Sequence, residues 1–314
     1  MPRPLELLIA SAQRHEPCAL VTLVGIHGPA PRRIGAQMAV SASGEVAGAF
    51  SGGCLDAAVI EEAQRALAES TSRRIRYGAD SLYVDIVLPC GSGLDLQFDG
   101  ALPTTTIDAI AHALAQRERF DLRWRDPAQP PDCLPPATSA AAFSHDVRIP
   151  HLPPLRLVLA GAGDTLLAMC RQARAADIDV IALSPDRALH APLQAIGVPL
   201  HVLQAQHALP PLAFDAYTAA ITLFHDHDWE LPFLQQALAS DACLVGAMGS
   251  PRTQALRLER LQARGVPVAA LTRLRSPLGL LPRARDPQEL AVSILAEAMQ
   301  TYRERCYPEP ALRA

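Results

Sequence analysis

Two of the seven cysteines stand where a thiol could do chemistry. Cys54 follows Ser51-Gly52-Gly53 and opens an alanine-rich stretch, 57–69, with helical character. Cys90 closes an apolar run, 84–88, and is followed by Gly91-Ser92-Gly93. Each glycine removes a side chain that would otherwise cover the sulfur. A thiol at a helix N-terminus has its pKa lowered by the partial positive charge there. The alternative is a small buried residue of the kind often packed behind glycines. Cys18, Cys133, Cys170, Cys243 and Cys306 lack this framing. Near the first thiol in sequence, His27-Gly28-Pro29-Ala30-Pro31-Arg32-Arg33-Ile34-Gly35 is a Gly/Pro-rich loop with two adjacent arginines. The guanidinium fork of Arg32 or Arg33 matches a phosphate, although a solvated turn explains the same residues.

A further glycine turn lies in the second half. The apolar run 157–160 leads into Gly161-Ala162-Gly163, a helical pattern follows, and a second apolar run covers 178–183. Strand, glycine turn, helix and strand make one βαβ unit, and unbroken apolar runs suit parallel strands covered on both faces. This predicts a Rossmann-like fold. As a dinucleotide fingerprint it is incomplete. Leu166 takes the third small position, Asp164 would oppose a phosphate, and Ser184 stands where an acid would hold a ribose, with Asp186 two residues later as a substitute. Tight NAD(P) binding is therefore not expected. The runs 217–224 and 242–248 predict further strands, ending at His225-Asp226-His227-Asp228 and Gly249-Ser250-Pro251-Arg252. In open α/β sheets ligands gather at the carboxyl ends of strands, which puts Gly161, His225, Gly249, Ser250 and Arg252 along one cleft. Ser250 and Pro251 read as the cap and first turn of a helix. His225 and His227 with the aspartates could hold a metal, but alternate loop residues rarely converge and a helix cap explains Asp228, so no metal is expected.

The elements that must position these residues follow from periodicity. Helices are expected over 5–14, 57–69, 107–118, 229–240 and 287–305. Strands are expected over 18–26, 38–40, 45–49, 73–77, 84–88, 94–98, 157–160, 178–183, 200–203, 217–224 and 242–248. The proline-rich stretch 126–154 reads as extended, with a strand surviving around 142–149. The prediction is an α/β protein. A mixed α+β domain, residues 1–150, precedes a Rossmann-like parallel-sheet domain, residues 151–314.

Composition excludes several function classes. The 314 residues are 49% hydrophobic and 19% charged, with a net charge of −4. No surface for nucleic acid is indicated, and no apolar run approaches the roughly 20 residues of a membrane span. The seven cysteines include no C-x-x-C pair, which argues against a disulfide framework and a structural zinc site and for a reducing cytoplasm. Lysine and asparagine are absent. P-loop nucleotide hydrolysis and Schiff-base chemistry are thereby excluded.

Taken together, the motifs resemble the XdhC/CoxI family, the accessory proteins of xanthine dehydrogenase and related molybdenum hydroxylases. The residues that carry the resemblance are Gly28-Pro29-Ala30-Pro31-Arg32 with Gly35-Ala36-Gln37-Met38; Ser51-Gly52-Gly53-Cys54-Leu55-Asp56; Cys90-Gly91-Ser92-Gly93; Gly161-Ala162-Gly163; His225-Asp226-His227-Asp228; Gly246-Ala247-Met248-Gly249-Ser250; Ser276-Pro277-Leu278-Gly279; and the run 287–297, PQELAVSILAE. The resemblance implies a chaperone without turnover of its own. Such a protein binds the molybdenum cofactor in its molybdopterin form, a pterin dithiolene with a phosphate. It protects the cofactor while a cysteine desulfurase helps install its terminal sulfur, then delivers it to a xanthine dehydrogenase-type hydroxylase. It implies cofactor-binding roles for Arg32, Arg33, Gly52, Gly53, Cys54, Cys90, Gly91, Gly161, Gly163, Gly249, Ser250 and Arg252. A homodimer is left open. Asp56 stands where a glutamate is usual, and Ser92 interrupts the usual Cys-Gly-Gly core. Two rivals remain: an NAD(P)-dependent oxidoreductase built on the glycine turn, and an interaction module that carries no ligand.

Overall fold

Leu157, Leu159 and Val158, Ala160 point alternately to the two faces of one strand, and all four are buried. That double burial is what an unbroken apolar run demands, and it requires helices on both sides. The computed structural model provides them. It describes residues 3–30, 32–51, 53–81, 91–136, 146–207, 209–224, 226–282 and 284–306. The chain divides into two units, Met1–Pro153 and Pro154–Ala314.

The first unit runs α1 (Pro4–Gln13), β1 (Cys18–His27), β2 (Gln37–Ser41), β3 (Val46–Ala47), α2 (Cys54–Glu69), β4 (Ser72–Gly78), β5 (Gly93–Asp99), α3 (Thr104–Gln116), β6 (Phe120–Trp124), β7 (Asp132–Leu134) and β8 (Val147–His151). An antiparallel sheet has the order β3-β2-β1-β5-β4. Helix α2 covers one face, burying Leu55, Val59, Ala63 and Ala66 against Val21, Leu23, Leu96 and Phe98. The other face packs on α1, α3 and a small sheet, β7-β6-β8.

In that small sheet β6 and β7 were not expected from the sequence, which predicts an extended stretch with one strand around 142–149. Phe120, Leu122 and Trp124 alternate inward and are buried, which makes β6 a half-buried strand. Its two neighbours are edge strands, where proline is tolerated; Pro150 pairs opposite Asp121 on β8. The strand expected over 84–88 lies outside the described residues. So does 137–145, which holds the first half of the strand expected over 142–149; its described remainder falls on β8.

The second unit continues with β9 (Arg156–Gly161), α4 (Gly163–Ala175), β10 (Asp179–Ser184), α5 (His190–Gln194), β11 (Leu200–Val202), β12 (Thr218–Leu223), α6 (His227–Leu238), β13 (Leu244–Ala247), α7 (Pro251–Ala263), α8 (Val268–Leu271), β14 (Leu274–Arg275) and α9 (Pro287–Cys306). The sheet order is β11-β10-β9-β12-β13-β14, and each neighbouring pair is parallel. Numbered from β9, this is 3-2-1-4-5-6, the order of the dinucleotide-binding folds, with the switch point between β9 and β12. One apolar layer lies between the sheet and α4, α5 and α9, and a second between the sheet and α6, α7 and α8. Among the described residues, no helix is long and apolar enough to cross a membrane.

Candidate functional site

In the first unit the antiparallel register decides which loops meet. His27, the last residue of β1, pairs with Gly93, the first of β5. Gly28 has φ +89°, and a Cβ on it would come 3.6 Å from Ser92 Cα, so the Gly28–Gly35 loop runs beside Gly91-Ser92-Gly93. Helix α2 is followed after two residues by β4, whose Ser72 pairs with Asp99 at the far end of β5. The start of α2, at Cys54, therefore lies toward the Gly93 end. The three glycine loops gather at one end of the sheet.

Asp56 fixes the loop before α2. Its Oδ1 accepts the backbone N–H groups of Phe50 (2.8 Å) and Ser51 (3.1 Å). Gly53, the N-cap, is exposed, with no atom within 4 Å of where a Cβ would be. Arg32 and Arg33 are exposed, and neither guanidinium has a hydrogen-bond or ion-pair partner among the described residues. Gly52, Cys90 and the side chain of Cys54 lie outside what the structure describes, so the expected approach of the two thiols does too.

Sequence reasoning missed a cluster at this same end. Arg76 grips Asp95 with Nε to Oδ1 (2.7 Å) and Nη2 to Oδ2 (3.0 Å), and His27 Nε2 lies 2.9 Å from Asp95 Oδ2 and 2.8 Å from Arg76 Nη2. Burial opposes the ionised Asp95, but the hydrogen bonds from Arg76 and His27 prevail and hold its carboxyl below the usual range. The signal was Gly25, a glycine inside a strand. A Cβ there would sit 2.7 Å from Asp95 Oδ2.

In the second unit the turn after β9 is built as expected, but for reasons of its own. A Cβ on Gly161 would meet Leu223 Cβ of β12 at 2.8 Å, and Gly163 has φ +65°. Both glycines are thus required by the backbone and the neighbouring strand, with no ligand invoked. Asp164 is exposed in the first turn of α4. The buried Ser184 Oγ accepts Asp186 N–H (3.1 Å), and Asp186 in turn caps a short 3-10 turn through Ala188 N–H (3.0 Å). Its carboxylate is thereby engaged in local structure.

After β12 the N-cap of α6 is Asp226, whose Oδ1 accepts Asp228 N–H (2.9 Å), so the cap expected at Asp228 lies two residues earlier. Asp228 instead meets Arg260 Nη1 at 3.1 Å. His225 and the His227 side chain lie outside what the structure describes, and no group of three or more potential metal ligands occurs among the described residues. Ser250 caps α7 as expected, accepting Thr253 N–H at 3.2 Å, with Pro251 in the first turn. Arg252 is exposed one residue on.

Beyond β12 and β13 lies a cavity of about 550 Å³, lined by Phe224, Met248, Gly249, Leu278, Leu281 and Arg285 among others. Arg257 organises its floor. The guanidinium is fully buried and gives Nε and Nη2 to Glu230 (2.7 and 3.2 Å), Nη2 also to Met248 O (2.6 Å), and Nη1 to Gln254 Oε1 (2.9 Å) and Ser276 Oγ (3.0 Å). It ties α6, α7, the end of β13 and the loop after β14 together.

A sequence profile described as the XdhC Rossmann domain matches residues 157–298, and the profile of the XdhC and CoxI family matches residues 11–78. The chain is also 36% identical, over 88% of its own length and 81% of the relative's, to the molybdenum cofactor insertion chaperone PaoD of Escherichia coli (strain K12). The chain belongs to the XdhC and CoxI family. A second relative, the uncharacterized protein YqeB of the same organism, is 26% identical over 90% of this chain but only 43% of its own length. A solved structure from Bacillus halodurans, described as a xanthine dehydrogenase, shares the fold, with TM-score 0.75, 19% identity and 98% of each chain covered.

Within this XdhC-family fold, two of the motifs form one device. Glu297 Oε2 accepts Gly279 N–H (2.5 Å), Ser293 Oγ accepts Leu281 N–H (2.7 Å), and Ser293 O accepts Leu280 N–H (3.3 Å). The PQELAVSILAE helix thus pins the Ser276-Pro277-Leu278-Gly279 loop. Leu278 drops onto Gly246, where a Cβ would meet its Cδ1 at 2.7 Å.

Proposed function

We propose that this protein binds the molybdenum cofactor and inserts it into a molybdenum hydroxylase of the xanthine dehydrogenase type, acting as a chaperone in the cytoplasm. The observation that carries the reading is the similarity to PaoD, which runs through both units and most of both chains. The geometry supports it. Three glycine loops lie toward one end of the sheet, two of them bear the cysteines Cys54 and Cys90, and the third bears two arginines whose side chains have no partner among the described residues. Soft thiolates suit molybdenum and its sulfur chemistry, and guanidinium groups suit the cofactor's phosphate. A cysteine desulfurase is the natural third party, because the cofactor's terminal sulfur must be supplied before delivery.

The oxidoreductase reading is weaker. Gly161 and Gly163 are accounted for by Leu223 and by a left-handed backbone, and Asp164 lies in the first turn of α4, where its charge opposes a phosphate.

The test is the content of molybdenum and pterin per chain in protein purified from cells that make the cofactor. Stoichiometric amounts are expected. A chain that carries neither, but binds NAD(P) at submicromolar concentration, would overturn the reading.

A further inference from the structure

Helix α9 packs one face on the fold and turns another outward. Ala291, Ile294, Leu295 and Ala298 are buried in the apolar layer against the sheet, and Ser293 and Glu297 hold the loop from Gly279 to Leu281. On the outer face stand Glu289, Val292, Ala296, Met299 and Arg303, spaced alternately three and four residues apart. That spacing keeps all five on one stripe, about 21 Å long. Val292 is 51% and Met299 43% exposed, and Ala296 is half-buried. Glu289 and Arg303 are exposed, and neither side chain has a hydrogen-bond or ion-pair partner among the described residues.

The apolar surface widens beside the stripe. Leu280 and Leu281 donate their N–H groups to Ser293 O and Oγ, which seats them on α9 next to Val292, and both are exposed. Among the described residues, four of the seven exposed large apolar side chains therefore fall on α9 and the loop it holds. An apolar patch rimmed by charge marks an interaction surface. The order along the stripe says what fits it. The acid stands at the N-terminal end, the cation at the C-terminal end, the two large apolar side chains between them, and the small Ala296 at the centre. Turned about a two-fold axis through Ala296, the stripe is its own complement. A parallel pairing would set like charges together, whereas the antiparallel one also brings opposite ends of the two helix dipoles side by side.

We propose that this face pairs with the same face of a second copy of this chain, the two α9 helices running antiparallel. Val292 packs beside the partner's Met299, Ala296 against the partner's Ala296, and Glu289 pairs with the partner's Arg303 at each end. Alanine at the crossing lets the helices approach closely. Such a contact is isologous, so it closes at a dimer and does not grow into filaments. The pairing does not depend on the cargo or on its site in the first unit.

The experiment is sedimentation equilibrium of the full chain and of three variants on the stripe. Glu289→Arg, Arg303→Glu and Val292→Glu all change exposed positions, away from the packed side of α9. The wild type is expected to dimerise in the micromolar range. Each charge reversal sets like charges together at both ends and should raise the dissociation constant by more than about tenfold. Val292→Glu should do the same by placing a charge in the apolar centre. Mixing the two charge-reversed variants should restore a dimer of near wild-type strength, because every end then joins an acid to a cation. Only folded chains can be restored in this way, so the mixture separates lost pairing from misfolding. A wild type that stays monomeric, single reversals that dimerise as the wild type does, or a mixture as weak as its components overturns the assignment. A monomeric wild type whose Val292→Glu variant no longer delivers cofactor to a hydroxylase gives the face to that enzyme and overturns the pairing, while the proposed function stands.

Discussion

The Arg257 guanidinium and the Glu230 carboxylate meet at 2.7 Å with neither side chain exposed. Removing one partner leaves the other charge buried and unpaired, which costs about 3–5 kcal/mol. Arg257→Leu should lower unfolding stability by that order in urea titrations. Arg257→Leu with Glu230→Leu should recover much of the loss, since apolar packing replaces a buried ion pair at little net cost. A double variant as unstable as Arg257→Leu alone would show that the buried ion pair contributes more than the apolar packing that replaces it.

Gly25 and Asp95 make a second coupled pair. A methyl group at position 25 displaces the carboxylate that Arg76 and His27 share. Gly25→Ala should cost about 1–3 kcal/mol, as overpacking does. In an Asp95→Ala background the same change should cost little. Equal losses in the two backgrounds, read from a double-mutant cycle, would show that the glycine is there for another reason.

Asp99 predicts a pH dependence. Its carboxyl is pushed up to about 6 by burial, despite hydrogen bonds from Ser72, Trp124 and Gln97. An unfolded aspartate ionises near about 4. The folded state therefore holds the proton more tightly. The stability so gained is full below pH about 4 and is lost as pH rises through about 6. Asp99→Asn lacks this titration. The stability difference between wild type and variant should change by about 2–3 kcal/mol between pH 4 and pH 7, in the variant's favour at the higher pH. Parallel pH profiles in urea unfolding would rule out Asp99 as the group.

The loop cluster of the first unit gives a prediction about cargo. Cys54→Ala, Cys90→Ala and Arg32→Ala with Arg33→Ala should each lower retained molybdenum and pterin while leaving thermal unfolding nearly unchanged. The arginine effect should shrink at high salt. Cys133→Ala is the control, since Cys133 lies on β7 and in none of the three glycine loops. Retention unchanged in the double cysteine variant would remove the thiols from cofactor binding.

Much of this architecture was legible in the sequence because periodicity reports burial. Runs such as 157–160 and 217–224 carry no charged residue, which suits parallel strands covered on both faces. In the sheet β7-β6-β8 only β8 was foreshadowed, because Phe120, Leu122 and Trp124 alternate over only five residues and β7 is three residues long in a proline-rich stretch. The cap of α6 was placed two residues late because Asp226 and Asp228 are equally good caps in sequence, and only the backbone separates them. Arg257 and Glu230 were invisible for a different reason. Buried and exposed arginines look alike in a chain whose only strongly basic side chain is arginine. The cavity also depends on long-range contacts, Leu278 on Gly246 and Gly279 on Glu297, which no local pattern announces.

The central claim is that the protein carries the molybdenum cofactor and hands it on. Its most direct test is delivery. Chain purified with cofactor bound is mixed with a cofactor-free hydroxylase of the xanthine dehydrogenase type, and both proteins are separated and analysed for molybdenum. The account predicts that molybdenum leaves the chain, appears on the hydroxylase, and restores its activity to a greater extent than an equal amount of free cofactor. Molybdenum that stays on the chain, or activation no better than free cofactor gives, would contradict it.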